Sequence, residues 1–257
     1  MKNKELFIFD LDDTLTESKV VIDDEMVDIL AGLLSHKQVA IISGAWLPQL
    51  KLQVLEKLPQ RLDDIRKSRL HIFPTSGAAF YRFENGDWCP VYELRFTDEE
   101  KSEIVEKFSD AISKSEIEMP GQIYGERLQD RDTQLTFSAL GSEAPLELKK
   151  TWDPDRQKRT KVHSIVKELL PQFDIAIAGK TSIDVLRKGV DKAFGVEMME
   201  KHIGILKSEM IFFGDALFET GNDFPVVKTG IECVEVKDHE HTKRILKDFL
   251  QNIDGDI

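Results

Sequence analysis

The sequence has only two cysteines, Cys89 and Cys233, far apart and in no C-x-x-C pattern. That argues against a disulfide framework and against a cysteine-based zinc site, and leaves both as packing residues in a reduced compartment. Long apolar runs are missing too, since nothing approaches the ~18 consecutive apolar residues of a membrane span. The stretch "MKNKELFIF" carries a short apolar run and no small-residue cleavage site, so it reads as a first strand rather than a signal peptide. A cytoplasmic protein without a membrane partner is expected. Basic charge is in deficit, with 35 Lys and Arg against 47 Asp and Glu and a net charge of −12. A broad nucleic-acid surface needs the opposite balance. A small anionic ligand remains possible where basic groups or a metal are local to a pocket. Internal repeats and low-complexity tracts are also absent. What remains, 41% hydrophobic and 32% charged over 257 residues, fits one large globular domain or a core with a second module.

Three short apolar runs set the organisation. "LFIFD" ends in Asp10, "QVAIISG" ends in Ser43-Gly44, and "RLHIFPTSG" follows. Runs of this length and composition read as strands buried on both faces. Between the first two, "DDEMVDILAGLLS" spaces its apolar residues as a helix does. Strand, helix, strand in this order predicts a βαβ core with a parallel sheet. The middle of the chain differs. "AFYRFENGDWCPVYELRF" predicts a hairpin about Asn85-Gly86. "TDEEKSEIVEKFSDAISK" predicts a helix boxed by Thr97 and Glu100. "GQIYGERL" and "TQLTFSALG" read as strands, "WDPDRQKRTKVHSIVKELL" as a helix, and "FDIAIAG" and "TSIDVLR" as two more strands. The core pattern then resumes with a helix ending near Gly204, the strand "SEMIFFGD", the strand "GIECVEV" and a closing helix. The expected fold class is α/β, a Rossmann-like parallel-sheet core at residues 1–79 and 188–257 with an α+β cap domain inserted at residues 80–187. Hinges are expected near Ser76-Gly77-Ala78-Ala79 and near Arg187-Lys188-Gly189.

In an open parallel sheet, ligands bind beyond the carboxyl ends of the strands. Asp10 and Asp12, Ser43, Lys192, and Asp215 with Asp223 all fall at or near that edge. One by one they are weak signals, because an Asp after a strand often serves a turn or a cap. Together they fit one chemistry, phosphoryl transfer through an aspartyl phosphate. Asp10 is the expected nucleophile. Asp12, two residues on, is the expected acid for the leaving oxygen and base for the second acceptor. Carboxylates this close repel each other, and a Mg2+ ion, which prefers oxygen ligands, resolves that repulsion. Asp10, Asp215 and the Asp12 carbonyl are its expected ligands. Ser43 and Lys192 are expected to hold the transferring phosphoryl oxygens.

The order "DLDDTLT", "IISG", "KGVDKAFG", "FFGDALFETGND" resembles the four motifs of the haloacid dehalogenase-like phosphotransferases. Within that superfamily, "TSIDVLRKGVDK" and "RDTQLTFSALG" are similar to stretches of the eukaryotic-type phosphomannomutases and related sugar-phosphate phosphatases. The resemblance implies the same roles for Asp10, Asp12, Ser43, Lys192 and Asp215, with Gly44 beside the phosphate. It adds Asn222 and Asp223 in support of the metal. It also implies sugar-phosphate contacts from Arg131, Ser182 and Asp184 in the inserted module. Strand alternation puts Gln134, Thr136 and Ser138 on one face, expected to look at the ligand.

Three positions depart from that pattern, because Ser142, Lys149 and Lys19 stand where the family has arginines. Lysine offers a point charge in place of a bidentate fork. A mutase must grip a phosphate at both ends of the sugar, so the expected activity is a Mg2+-dependent phosphatase of a small phosphorylated sugar or related metabolite. The alternative is a phosphomannomutase-like mutase using the same first step. Lys19 and Lys149 remain candidate substrate contacts, and a homodimer through the cap is the assembly the resemblance allows. The "HEH" pair, His239 and His241, reads as solvated, because a spacing of two on a helix does not converge on a metal.

Overall fold

The computed structural model describes residues 1–254. The chain forms two compact units, residues 1–93 with 190–257, and residues 94–189. In the first, the strands are β1 (Leu6–Phe9), β2 (Gln38–Ile42), β3 (Leu70–Phe73), β4 (Ala79–Glu84) and β5 (Asp87–Glu93). Its helices over that stretch are α1 (Asp24–His36), α2 (Leu47–Leu50), which runs on into a π-helical turn at Lys51–Leu55, and α3 (Asp64–Ser68). The second unit holds α4 (Asp98–Ser115), β6 (Leu128–Asp130), β7 (Gln134–Ser138), α5 (Leu146–Trp152), α6 (Gln157–Leu169), β8 (Phe173–Ala178) and β9 (Ser182–Arg187). The chain returns to the first unit with α7 (Lys192–Ile203), β10 (Met210–Gly214), α8 (Phe224–Val227), β11 (Glu232–Glu235) and α9 (His239–Asp254).

The first unit is built on a seven-stranded sheet in the order β11-β10-β1-β2-β3-β4-β5. The five strands from β11 to β3 run parallel. β1 lies inside this sheet, and its side chains divide between two cores. Phe7 and Phe9 pack with α1, α9 and Phe213, whereas Leu6 and Ile8 pack with Phe212 and with Val196 and Met199 of α7. A strand with both faces covered reads as a near-continuous apolar run. Full burial of each such side chain contributes roughly 1.5–3 kcal/mol. These layers fix the strand ends, and the loops beyond β1, β2 and β10 gather at one edge of the sheet.

The hairpin is the main difference from expectation. It turns at Asn85-Gly86 as read, but β4 pairs antiparallel with β3 and so extends the core sheet. Phe80 stacks on Phe73 with ring centroids 4.4 Å apart. The alternation that marks a hairpin carries no information about which sheet it joins, so the expected boundary at residue 80 moves to Leu94. The expected hinge at residues 76–79 accordingly lies inside the first unit. The second expected crossing, Arg187-Lys188-Gly189, adjoins the division between Gly189 and Val190.

The second unit is a four-stranded antiparallel sheet, β6-β7-β9-β8. Helices α4 and α6 cover one face through Ile104, Phe108, Val162 and Val166, packed on Leu135, Phe137, Ile183 and Val185. The box at the start of α4 forms in both directions, with Thr97 Oγ1 accepting the Glu100 N–H and Glu100 accepting the Thr97 N–H. Two segments differ from the sequence reading. "GQIYGERL" is mostly irregular, because Gly125 takes a positive φ of 72° and only the following Leu128–Asp130 pairs. The helix read from "WDPDRQ…" begins only at Gln157, preceded by the separate helix α5. The break is stabilised by a buried pair, Arg159 Nε to Asp153 Oδ2 at 2.7 Å, both almost fully enclosed. Asp153 also accepts the Lys158 and Arg159 N–H groups, and Arg159 reaches the Gly179 carbonyl at 2.7 Å. Breaking such a pair leaves a buried charge alone. Asp153→Ala should therefore lower unfolding stability by about 3–5 kcal/mol, read from urea denaturation. A loss below about 1 kcal/mol would show that the pair adds nothing beyond a surface bridge.

Candidate active site

Asp10 is the first residue beyond β1. Its N–H continues the ladder to the Phe213 carbonyl at 3.0 Å, which fixes the carboxylate at the strand end. Beyond it the chain makes a tight loop, anchored by buried Leu11 and Leu15 and by the Leu15 N–H on the Leu11 carbonyl at 2.9 Å. Ser43 ends β2 in the same way, its N–H on the Phe73 carbonyl at 3.1 Å. The Ser43 Oγ accepts the Ala45 N–H at 3.0 Å, and Gly44 between them is exposed.

Lys192 arrives from elsewhere. It is the first residue of α7, whose start is capped by Asp191 accepting the Phe194 N–H at 3.0 Å. The helix lies so close to the turn Thr75–Gly77 that a side chain at Gly77 would strike the Gly195 backbone. Gly77 also has φ +93°, a region that disfavours residues with a Cβ. This close approach sets the depth of α7 and hence the reach of Lys192.

The ammonium of Lys192 lies 2.6 Å from Asp10 Oδ1 and 2.5 Å from Asp223 Oδ1, with all three side chains buried. The second Asp223 oxygen accepts the Ala216 N–H at 3.1 Å. Asp223 thus closes the 215–223 loop while holding the lysine. The loop is tight, and a Cβ on Gly221 would collide with the Ala216 carbonyl. Asp215, half-buried at the end of β10, accepts a long bond of 3.4 Å from Thr14 Oγ1. Ligand oxygens of Asp10, Asp215 and Asp223 all come within 4.8 Å of one another.

The charges in this cluster do not balance. Burial pushes the Asp10 carboxyl up to about 7, opposed by Lys192 and reinforced by Asp223. Burial, with Asp223 beside it, also holds Asp215 above the usual carboxylate range. Lys192 moves the other way from most buried lysines: burial favours its neutral form, but Asp10 and Asp223 outweigh that and raise it. Three carboxylates against one ammonium make an oxygen-rich, electron-rich pocket with a deficit of positive charge. That donor set fits a hard divalent cation.

Asp12 is half-buried. Its Oδ1 accepts the Lys19 backbone N–H at 2.8 Å and the Gln53 side-chain amide at 3.2 Å. The Lys19 side chain is exposed, so its backbone, not its ammonium, serves the loop here. Asn222, next to Asp223, is exposed. Sequence reasoning missed Gln53, because a glutamine in an amphipathic stretch carries no signal without the tertiary contact.

In the second unit the expected residues share the face of the sheet opposite α4 and α6. Thr136 Oγ1 donates to Asp184 Oδ1 at 2.8 Å, and the Ser138 and Ser182 hydroxyls meet at 2.9 Å. Gln134, Thr136 and Ser138 are buried, and the Gln134 Oε1 accepts no hydrogen bond among the described residues. Burial raises Asp184 despite the Thr136 bond and nearby Arg131. Arg131 Nε is bonded to Gln129 Oε1 at 3.0 Å. Lys149 donates to the Ser142 carbonyl at 3.0 Å, so a cation does reach the turn where the family's arginine is missing. His239 lies with Asp23 and Glu240, but the Lys243 ammonium already occupies that acidic group, 2.6 Å from Asp23 and 2.5 Å from Glu240.

A parallel sheet with an acidic cluster and a buried lysine at its carboxyl edge, interrupted by an α+β insertion, defines a haloacid dehalogenase-like enzyme. Solved structures bear out the fold. An N-terminally truncated IMP-nucleotidase of Plasmodium falciparum superposes with a TM-score of 0.67 at 17% identity, covering 96% of this chain and 70% of that one. A haloacid dehalogenase-like hydrolase of Bacteroides thetaiotaomicron gives a TM-score of 0.64 at 15% identity, covering 96% and 99%. The chain belongs to the eukaryotic phosphomannomutase family, whose model matches residues 26–252. A phosphomannomutase of Encephalitozoon cuniculi is 25% identical over 259 residues, covering 97% of this chain and 95% of that protein. One of Saccharomyces cerevisiae is 28% identical over 232 residues, covering 88% and 85%. The chain is thus an enzyme of the phosphohydrolase or phosphosugar mutase type.

The raised Asp10 has a consequence for the metal-free protein. A carboxyl that binds its proton more tightly folded than unfolded contributes stability in full below its ordinary value of 3.8, and loses it as pH rises through about 7. Between about pH 5 and about pH 8, the Tm of metal-free wild type should fall more than that of Asp10→Asn. Parallel pH profiles for the two proteins would refute the raised value.

Proposed function

We propose that this chain is a hexose-phosphate mutase of the phosphomannomutase kind, working through an aspartyl phosphate on Asp10. The observation that carries the proposal is the buried Asp10–Lys192–Asp223 cluster with Asp12 two residues on, in a chain of this family. Asp10 attacks the phosphorus as the sugar oxygen leaves. Lys192 and the Ser43 hydroxyl hold the phosphoryl oxygens, where charge spreads in the transition state. Asp12 gives its proton to the leaving oxygen, then recovers one from the incoming acceptor. The Lys192 ammonium lies on the attacking carboxylate itself, where its charge opposes the burial that favours protonated Asp10, and with Ser43 it is placed to receive the phosphate.

Asp10 and Asp215, with the Asp12 carbonyl, are the residues that would hold Mg2+, while Asp223 keeps Lys192 and the 215–223 loop in place. Bound there, the ion neutralises the carboxylates and the transferring phosphoryl group. Arg131, Gln134, Ser138, Lys149, Ser182 and Asp184 form the sugar-phosphate surface of the inserted unit. On that surface Gln134 Oε1 and the Asp184 carboxylate accept sugar hydroxyls, and Arg131 and Lys149 supply the cations for a phosphate.

A second reading is hydrolysis, with water as the acceptor. Ser142 favours it, because a weaker grip on the distal phosphate lets a bisphosphate intermediate escape before it turns. The deciding assay supplies mannose 1-phosphate and Mg2+, with and without glucose 1,6-bisphosphate, and follows mannose 6-phosphate and free phosphate together. Bisphosphate-dependent mannose 6-phosphate is expected. Free phosphate as the main product would establish the phosphatase instead. In either case Asp10→Asn should abolish turnover with the fold intact, and normal activity in that variant would overturn the nucleophile. Lys149→Ala should raise KM for a sugar phosphate more than for p-nitrophenyl phosphate, and equal effects would remove Lys149 from the sugar surface.

A further inference from the structure

Gln53 is almost wholly enclosed, with 1% of its surface exposed. Its amide is spoken for at both ends. Oε1 accepts from Gln49 Nε2 at 3.0 Å, and Nε2 donates to Asp12 Oδ1 at 3.2 Å and to the Val20 carbonyl at 3.3 Å. Because the Val20 carbonyl can only accept, the nitrogen end must face it, and Asp12 Oδ1 with it. Gln53 sits in the π-helical turn Lys51–Leu55, and its own carbonyl accepts the Ile22 N–H at 2.9 Å. Such turns are rare and concentrate at functional sites. Here the wide turn ties the 20–22 segment to the loop that carries Asp12.

Both donors on Asp12 reach the same oxygen. The Lys19 N–H, presented by a residue at φ 65°, also donates to Oδ1, and among the described residues Oδ2 accepts no hydrogen bond. An N–H donor prefers the carbonyl oxygen of a carboxyl to its hydroxyl oxygen, which keeps less acceptor capacity. Two such donors on Oδ1 occupy its lone pairs and disfavour a proton there, which makes Oδ2 the preferred oxygen to carry it.

We propose that Gln53 is a positioning residue for the acid and base step. It fixes the Asp12 carboxyl and directs its transferable proton to Oδ2. In the first half-reaction the Asp10 oxygen bonds to phosphorus, the bond from phosphorus to the leaving oxygen breaks, and that oxygen takes the Oδ2 proton. In the second the acceptor oxygen bonds to phosphorus, the bond to Asp10 breaks, and the acceptor proton goes to Oδ2. The inference rests on the phosphotransfer reading of Asp10 and Asp12, and the test separates the two.

The test compares phenyl phosphate with p-nitrophenyl phosphate, substrates of one shape whose leaving groups differ in their need for a proton. For wild type and for Gln53→Met, which fills the same volume and donates nothing, kcat/KM reports formation of the phosphoenzyme. The ratio of kcat/KM for phenyl over p-nitrophenyl phosphate should fall at least about tenfold in Gln53→Met. An unchanged ratio, whether both values drop or neither does, makes Gln53 structural and overturns the proposal. Should Gln53→Met fail to fold, Gln49→Met removes the group that braces the amide from its oxygen end, and the ratio should fall in the same direction. Wild type turning over neither ester would overturn the phosphotransfer reading itself, and with it this inference.

Discussion

The ammonium of Lys192, enclosed between Asp10 and Asp223, is the interaction on which the rest of the first unit depends. An enclosed charge is costly unless its partners come with it. Each partner arrives on a different element: Asp10 from β1, Asp223 from the loop after β10, and the lysine from α7. The geometry therefore requires a sheet whose strand ends coincide, a helix brought close by two facing glycines, and a loop folded back tightly enough for Asp223 to reach both the lysine and the Ala216 N–H. An apolar trio of similar volume would pack at lower cost. Retention of three ionisable groups at one sheet edge is what a site built for charge transfer looks like.

The same cluster explains why Asp10 and Asp12, two residues apart, sit in different environments. Asp10 is buried against a cation and other carboxylates. Asp12 is half-buried and held through one oxygen by N–H donors. In the proposed mechanism, one environment shields the nucleophile from water and the other presents the proton carrier. The difference arises from the loop between them, because buried Leu11 turns the chain inward and the Leu11 carbonyl then accepts the Leu15 N–H.

Much of this was legible in the sequence. The three apolar runs and their terminal Asp10 and Ser43 give the parallel sheet and its charged edge, because strands covered on both faces are apolar almost throughout, His71 of β3 being buried only with Gln38 as its partner. Thr97 and Glu100 mark the start of α4, and Gly204 marks the end of α7. What was hidden is tertiary. Nothing local tells that the β4–β5 hairpin pairs with β3, since Phe80 finds Phe73 only in three dimensions. Asp153 reads as a helix residue until Arg159 is seen to hold it at a break. Gln53 is silent because its meaning lies in an oxygen forty-one residues earlier in the chain. For the charged pocket itself, residue types and order sufficed; for its supports, they did not.

Placing the hairpin in the core sheet leaves β5 as one outer strand and β11 as the other. Unpaired outer strands are templates on which another chain can extend a sheet. Here β5 carries Pro90, which has no N–H to offer, and the β4–β5 ladder shifts register between Phe80 and Tyr81. At the opposite side β11 is only four residues long and begins and ends in exposed glutamates. Both margins are thus poor partners for strand addition, which limits the sheet to its seven strands.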